Sequence, residues 1–214
     1  MNIVDEVGIS NMGLDFLKAK PATNIRDPKT PEETICARWY DTSRRQVLRA
    51  HPWNFAKARA ILSRNATAPI FGYPDKYALP NDFLRLRFID EETETLVGKD
   101  YQIEGGFILI DEGGASSINI GYIKDETVVN KWDELCKRYV AAQMAYNMAY
   151  SFTGKESTRT AMANMLHDIR LEARAVNGQD NPPRRVTRSK VIGARRAYAS
   201  GGVNRADPTI VPGT

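Results

Sequence analysis

Apolar positions along this chain recur first with helical spacing, then with alternation, then with helical spacing again. Ile3, Val4, Val7, Ile9, Met12, Leu14, Phe16 and Leu17 predict a modest amphipathic helix over residues 3–18. Gly8 and Gly13 weaken it, and Pro21 stops it. Residues 24–29 read as a loop. Thr30-Pro31-Glu32-Glu33 is a strong helix start, since Thr30 caps, Pro31 suits the first helical position and Glu33 reaches back as a capping box. Ile35, Cys36, Trp39, Tyr40, Val47 and Leu48 then recur at mostly three- and four-residue spacing to about His51. Arg38, Arg44, Arg45 and Arg49 decorate the polar side.

From Lys57 the pattern turns towards strand. Ala58, Ala60 and Leu62 alternate with Arg59, Ile61 and Ser63, and Leu84, Leu86 and Phe88 alternate with Arg85, Arg87 and Ile89. Glu91, Glu92 and Glu94 form an acidic turn, and three short strands follow at 101–104, 107–111 and 117–123. Gly105-Gly106 and Gly113-Gly114 punctuate them, which suggests an antiparallel meander or small sheet. Helix returns near Asn130 and runs to about Phe152, with Leu135, Tyr139, Val140, Met144, Met148 and Phe152 as its buried stripe. Gly154 breaks it. A further helix over 157–176 carries Ala161, Met165, Ile169 and Leu171 and ends on Asn177-Gly178 as a cap. The expected fold class is α+β: a helical bundle (1–56 and 124–178), an inserted small antiparallel β-sheet or barrel-like domain (57–123), and an extended basic arm (179–214).

Two stretches mark the changes of pattern. His51-Pro52-Trp53-Asn54-Phe55-Ala56 sits where the second helix stops, and Tyr77-Ala78-Leu79-Pro80-Asn81-Asp82-Phe83-Leu84-Arg85 sits where a strand begins. Pro52 removes a backbone donor where the helix must end, and Pro80 pushes Leu79 towards extended backbone. Pro52, Trp53, Phe55, Tyr77, Leu79 and Pro80 therefore read as packing hinges rather than as chemistry.

The same residues carry a resemblance. A helix ending in HPWNFA, a gap of about twenty residues and then Y-x-L-P-x-D-x-L-R is similar to the tail tubular protein A family of short-tailed bacteriophages. The likeness extends in order over residues 1–178. That family forms the head-to-tail adaptor ring beneath the portal. The resemblance implies a structural virion protein of the tail neck, made in the host cytoplasm and assembled as a homo-oligomeric ring of twelve copies. Its helical part and C-terminal arm would dock on the portal protein. Its strand-rich part would face a nozzle resembling tail tubular protein B, and genome DNA would pass the lumen without sequence-specific binding.

Composition adds little until charge is considered. A chain of 214 residues, 42% hydrophobic and 26% charged, is long enough for one well-buried domain or one carrying a small insertion. No apolar run approaches the ~18 residues of a membrane span. The acidic start Met1-Asn2-Ile3-Val4-Asp5-Glu6 is unlike a signal peptide, so a soluble protein is expected. Cys36 and Cys136 fall among apolar neighbours on predicted helices and read as free thiols. The net charge of +4, however, belongs to one segment. Residues 181–206 hold Arg184, Arg185, Arg188, Lys190, Arg195, Arg196 and Arg205 without one acid, which leaves 23 basic and 25 acidic residues up to Asp180. Proline and glycine there leave no room for a core, and fully extended the last 36 residues would reach on the order of 120 Å at ~3.3 Å per residue.

Catalytic and cofactor constellations are weak by comparison. Only His51 and His167 are present, neither in a metal-ligand pattern, and no G-x-S-x-G elbow occurs. Gly154-Lys155-Glu156-Ser157 lacks the first glycine and the preceding strand of a phosphate loop, and reads as a helix–helix turn. The acidic run 90–94 lacks the glycine of a calcium loop. Trp39, Tyr40, Trp53 and Phe55 read as core. No catalytic, metal or cofactor residue is assigned. The seven arm cations are the candidate site, as ligands for the portal or a neighbouring subunit. The alternative is a nucleic-acid-binding protein that uses the same arm.

Overall fold

The structure, a computed structural model, describes residues 4–90 and 100–179. The acidic turn of Glu91, Glu92 and Glu94 and the arm cations from Arg184 to Arg205 lie outside the described residues. Among the described residues, four α-helices and six strands follow in order: α1 (Glu6–Phe16), α2 (Pro31–Ala50), β1 (Lys57–Ser63), β2 (Asp75–Ala78), β3 (Phe83–Ile89), β4 (Tyr101–Glu104), β5 (Phe107–Ile110), β6 (Ser117–Lys124), α3 (Glu134–Thr153) and α4 (Glu156–Gln179). The class is α+β. No helix among the described residues is long and apolar enough to cross a membrane.

Helix starts follow the local chemistry. Asp5 accepts a hydrogen bond from the Gly8 amide at 2.8 Å, so α1 begins at Glu6 rather than Ile3. At α2 the Thr30 hydroxyl accepts from the Glu33 amide at 3.2 Å, and the Glu33 carboxylate accepts from the Thr30 amide at 3.1 Å. Glu33 also accepts from the amides of Lys29, Thr23 and Asn24 and from the Thr23 hydroxyl. Those bonds, led by the Lys29 amide, hold its carboxyl well below the usual range and tie the loop before α2 to the helix.

Helix α3 is the centre of the helical part, with α1, α2 and α4 all packed on it. The stripe expected from spacing is buried along its middle and only partly at its ends. Ala141, Ala142, Ala145 and Ala149 are as fully buried as Val140, Met144 and Met148, whereas Leu135 and Phe152 are only partly buried. Three neighbours leave α3 little solvent-facing surface, so small residues carry the close sides. Gly13, which weakens α1 on propensity, sits where an added Cβ would stand 3.0 Å from the Ala141 carbonyl. Its missing side chain lets α1 approach α3. Cys36 and Cys136 are both free and buried.

The strands form two three-stranded antiparallel sheets, ordered β1-β6-β3 and β2-β5-β4. Of the two arrangements expected, small antiparallel sheets are present, but a meander is not, because strands of the two sheets interleave along the chain. The expectation missed β2, whose four residues are too short to show alternation. One core lies between the sheets, with Leu62, Leu86, Ile118 and Ile120 from the first and Tyr77, Ile108 and Ile110 from the second. The opposite face of the first sheet meets the helices near its start, where Ile123 joins the helical core and Leu84 packs against it. Further along that face, Phe88 lies over Gly121, where a Cβ would meet the ring at 2.2 Å.

The end of α4 also differs from expectation. Asn177-Gly178 does not cap it, since helix is described through Gln179. Leu171 is 51% exposed, and Ala173 takes the buried position instead.

Two substitutions test this packing. Gly121→Ala must displace the Phe88 ring, and a loss of about 1–3 kcal/mol in denaturant unfolding is expected. Trp53→Ala, at a site with no exposed area, should cost about 3–5 kcal/mol in the same measurement.

Candidate functional site

The stretch His51-Pro52-Trp53-Asn54-Phe55-Ala56 owes its geometry to a hydrogen-bond deficit. The last four carbonyls of a helix lack intrahelical donors, and Pro52 removes one that the following chain could have supplied. Side chains fill the gap. The Trp53 indole donates to the Val47 carbonyl at 3.1 Å, and Arg174 Nη2 donates to the Ala50 carbonyl at 3.0 Å. Arg85 Nη1 stands 3.5 Å from the Arg49 carbonyl, while Arg49 Nη1 donates to the Leu84 carbonyl at 2.7 Å. Helices α2 and α4 and strand β3 are thereby tied at one point.

Around this point the rings interlock. His51 meets Trp53 edge-on at 4.9 Å, Trp53 stacks with Phe55 at 6.1 Å, and Phe55 stacks with Trp132 at 6.3 Å. Asn177 of α4 reaches in beside them. Its Oδ1 accepts from the Asn54 amide at 3.2 Å, which turns its Nδ2 towards His51 Nε2 at 2.7 Å. An amide NH₂ can only donate, so Nε2 must accept and the imidazole is neutral. Burial, then the charges of Arg174, Lys57 and Arg85, push His51 down to about 4 from 6.5.

A second anchor joins α2 to the chain after β6. Arg44 is 4% exposed and holds Asp125 through Nε at 2.9 Å and Nη2 at 3.0 Å, with Arg45 Nε 2.8 Å from the same carboxylate. Arg26 and Arg44 lie over the Tyr40 ring at 5.8 and 5.7 Å. Burial acts to raise Asp125, but the hydrogen bonds from Arg44 and Arg45 outweigh it and hold the carboxyl below its ordinary value.

The predicted hinge residues do not form one group. Pro52, Trp53 and Phe55 gather with His51 at the end of α2, whereas Tyr77 and Leu79 belong to the core between the sheets. The Tyr77 hydroxyl donates to the Ala115 carbonyl at 2.8 Å, and Pro80 is half-buried beyond it. Arg184, Arg185, Arg188, Lys190, Arg195, Arg196 and Arg205 fall outside the described residues. Among the described residues, no three His, Cys, Asp or Glu side chains are grouped to hold a metal ion. His167 is exposed on α4, its Nδ1 3.4 Å from Arg170 Nη2.

One surface feature was not anticipated. In the loop 64–74 between β1 and β2, Ile70 is 99% exposed and Phe71 88%. Two large apolar side chains at one loop tip touch almost nothing of their own chain. The local signal was present, an Ile-Phe pair held between Pro69 and Gly72. A hollow of about 420 Å³ lies on the open part of the first sheet, lined by Arg59, Ile61, Phe88, Asp90 and Asn119.

No family model matches this sequence, and comparison with the curated proteins gives no match.

The His51 contacts set a pH dependence. Between about pH 6.5 and 4 the unfolded chain takes up a proton at this imidazole that the folded chain refuses. Stability attached to neutral His51 is therefore complete above pH 6.5 and falls as pH drops towards 4. His51→Gln should flatten the wild-type slope of unfolding free energy over that window, measured by denaturant titration at several pH values.

Proposed function

We propose that this chain is a structural virion protein, one subunit of a head-to-tail adaptor ring in a short-tailed phage. The observation that carries the reading is the pairing of HPWNFA with Y-x-L-P-x-D-x-L-R. Each motif has a physical task here: the first closes α2 and holds α4 through Asn177, and the second sends Tyr77 and Leu79 into the sheet core. The Ile70–Phe71 tip supports the same reading, because large apolar side chains standing free of their own chain suit a surface that a partner covers. In this reading about twelve copies close a ring through a repeated heterologous contact. The helices and arm dock on the portal, and the strand-rich part meets the nozzle. Genome DNA passes the lumen without sequence-specific contacts.

Negative-stain imaging of the protein mixed with its portal ring tests the proposal. A twelve-fold collar on the portal is expected, and weakened attachment when residues 180–214 are deleted. Replacing Ile70 and Phe71 together by Ser should leave that collar in place but lower nozzle recruitment about tenfold or more, the usual cost of losing central apolar anchors. No collar, with salt-dependent binding to DNA instead, would put the nucleic-acid reading first.

A further inference from the structure

We infer that the end of α2 carries a phosphate-binding site for a nucleic-acid backbone, formed by Arg49, Arg85 and Arg174. The inference does not rest on the adaptor reading. The three guanidinium groups come from α2, β3 and α4 and are brought together by backbone carbonyls rather than by carboxylates. Arg85 and Arg174 reach the carbonyls of the consecutive residues Arg49 and Ala50, while Arg49 reaches Leu84. All three are exposed. None of them is in an ion pair with a described carboxylate.

Capping α2 explains one donor from Arg85 and one from Arg174, and the bond to the Leu84 carbonyl of β3 explains one from Arg49. A guanidinium has five N–H donors in a fixed fork, so most remain available for an anion. The carbonyl end of α2 carries only about half an elementary negative charge, which three cations exceed. His51 reports the resulting sign: each charged group that acts on it, Arg174, Lys57 and Arg85, is a cation.

The geometry extends beyond the cluster. Arg38, Arg45 and Arg49 are spaced seven and four residues apart, so they share one face of α2 over about 16 Å. Arg45 is paired with Asp125, but Arg38 and Arg49 are exposed. A protein partner would need a separate carboxylate for each of these cations. A phosphodiester chain supplies charges of one sign at regular spacing, which makes a nucleic-acid backbone the better match.

The test uses the full chain and a labelled 20-base-pair DNA duplex of arbitrary sequence, with binding followed by fluorescence anisotropy across a range of salt. Wild type should bind with a steep salt dependence, insensitive to sequence. Arg49→Gln, Arg85→Gln and Arg174→Gln together should reduce the log–log salt slope by about 2–3, near 0.9 for each phosphate no longer neutralised. The corresponding triple Lys variant should retain most of the slope, which a purely helix-capping role for the forks would not. If the Gln variant is unfolded by its thermal melt, phenylglyoxal labelling of the wild type takes its place. Bound duplex should then protect Arg49, Arg85 and Arg174 but spare Arg159, at the other end of α4. An unchanged salt slope in a folded Gln variant, equal loss in the Lys and Gln variants, equal labelling with and without DNA, or no DNA binding by wild type at low salt would each overturn the site.

Discussion

The unsatisfied carbonyl end of α2 is the constraint on which the rest of the architecture depends. Pro52 both stops the helix and withholds an amide, and side chains from elsewhere meet carbonyls of the last turn, the buried one of Val47 and the exposed ones of Arg49 and Ala50. The Trp53 indole takes one and Arg174 another, with Arg85 beside a third. Because those donors belong to the turn into β1, to α4 and to β3, satisfying a local deficit also decides how the helices meet the first sheet. The indole then serves twice, since its ring fills the gap between His51, Phe55 and Tyr139. Burial and hydrogen bonding favour the same placement here.

Charge is distributed according to the same plan. Arg44 and Asp125 are nearly buried, and their bidentate bond joins α2 to the chain leaving β6. Removing either partner would strand the other in a place where a lone charge is costly. At the far end of α2 the arginines find carbonyls instead, and their positive charge stays on the surface. A body with nearly equal numbers of acids and bases thus acquires a local cationic end. The apolar tip at Ile70 and Phe71 lies on a separate loop and offers a different chemistry, so electrostatic and hydrophobic contacts would be made by distinct parts of the chain.

Much of this fold is legible in the residues. The Thr30 box, the strands at 101–104 and 107–110, and the glycine break after α3 all rest on interactions within a few positions, whereas Arg44, expected on the polar side of α2, is buried against Asp125. Pattern also identified the α+β class and the junction at Pro52. It failed where an element's neighbours, rather than its own period, decide the outcome. Leu135 and Phe152, at the ends of the α3 stripe, are only partly buried, a difference that the period alone does not mark. Of the meander and the small antiparallel sheet only the second held, because strand partners such as Arg59 and Gly121 lie sixty-two positions apart and alternation does not name its partner.

By itself, then, the sequence determined where helices start and stop, which residues are apolar, and that the arm gathers seven cations. Those are properties of short range or of composition. Only the tertiary structure decided that Asn177 binds the His51 imidazole, that Arg44 finds Asp125, and that three arginines from distant elements gather at one helix end. Each of these pairings closes a long loop, and a long loop leaves no local trace because its partners are chosen by packing. The exposed Ile70–Phe71 tip is of the same kind: hydrophobicity can be read from the residues, but the absence of anything to bury it is a fact of three dimensions.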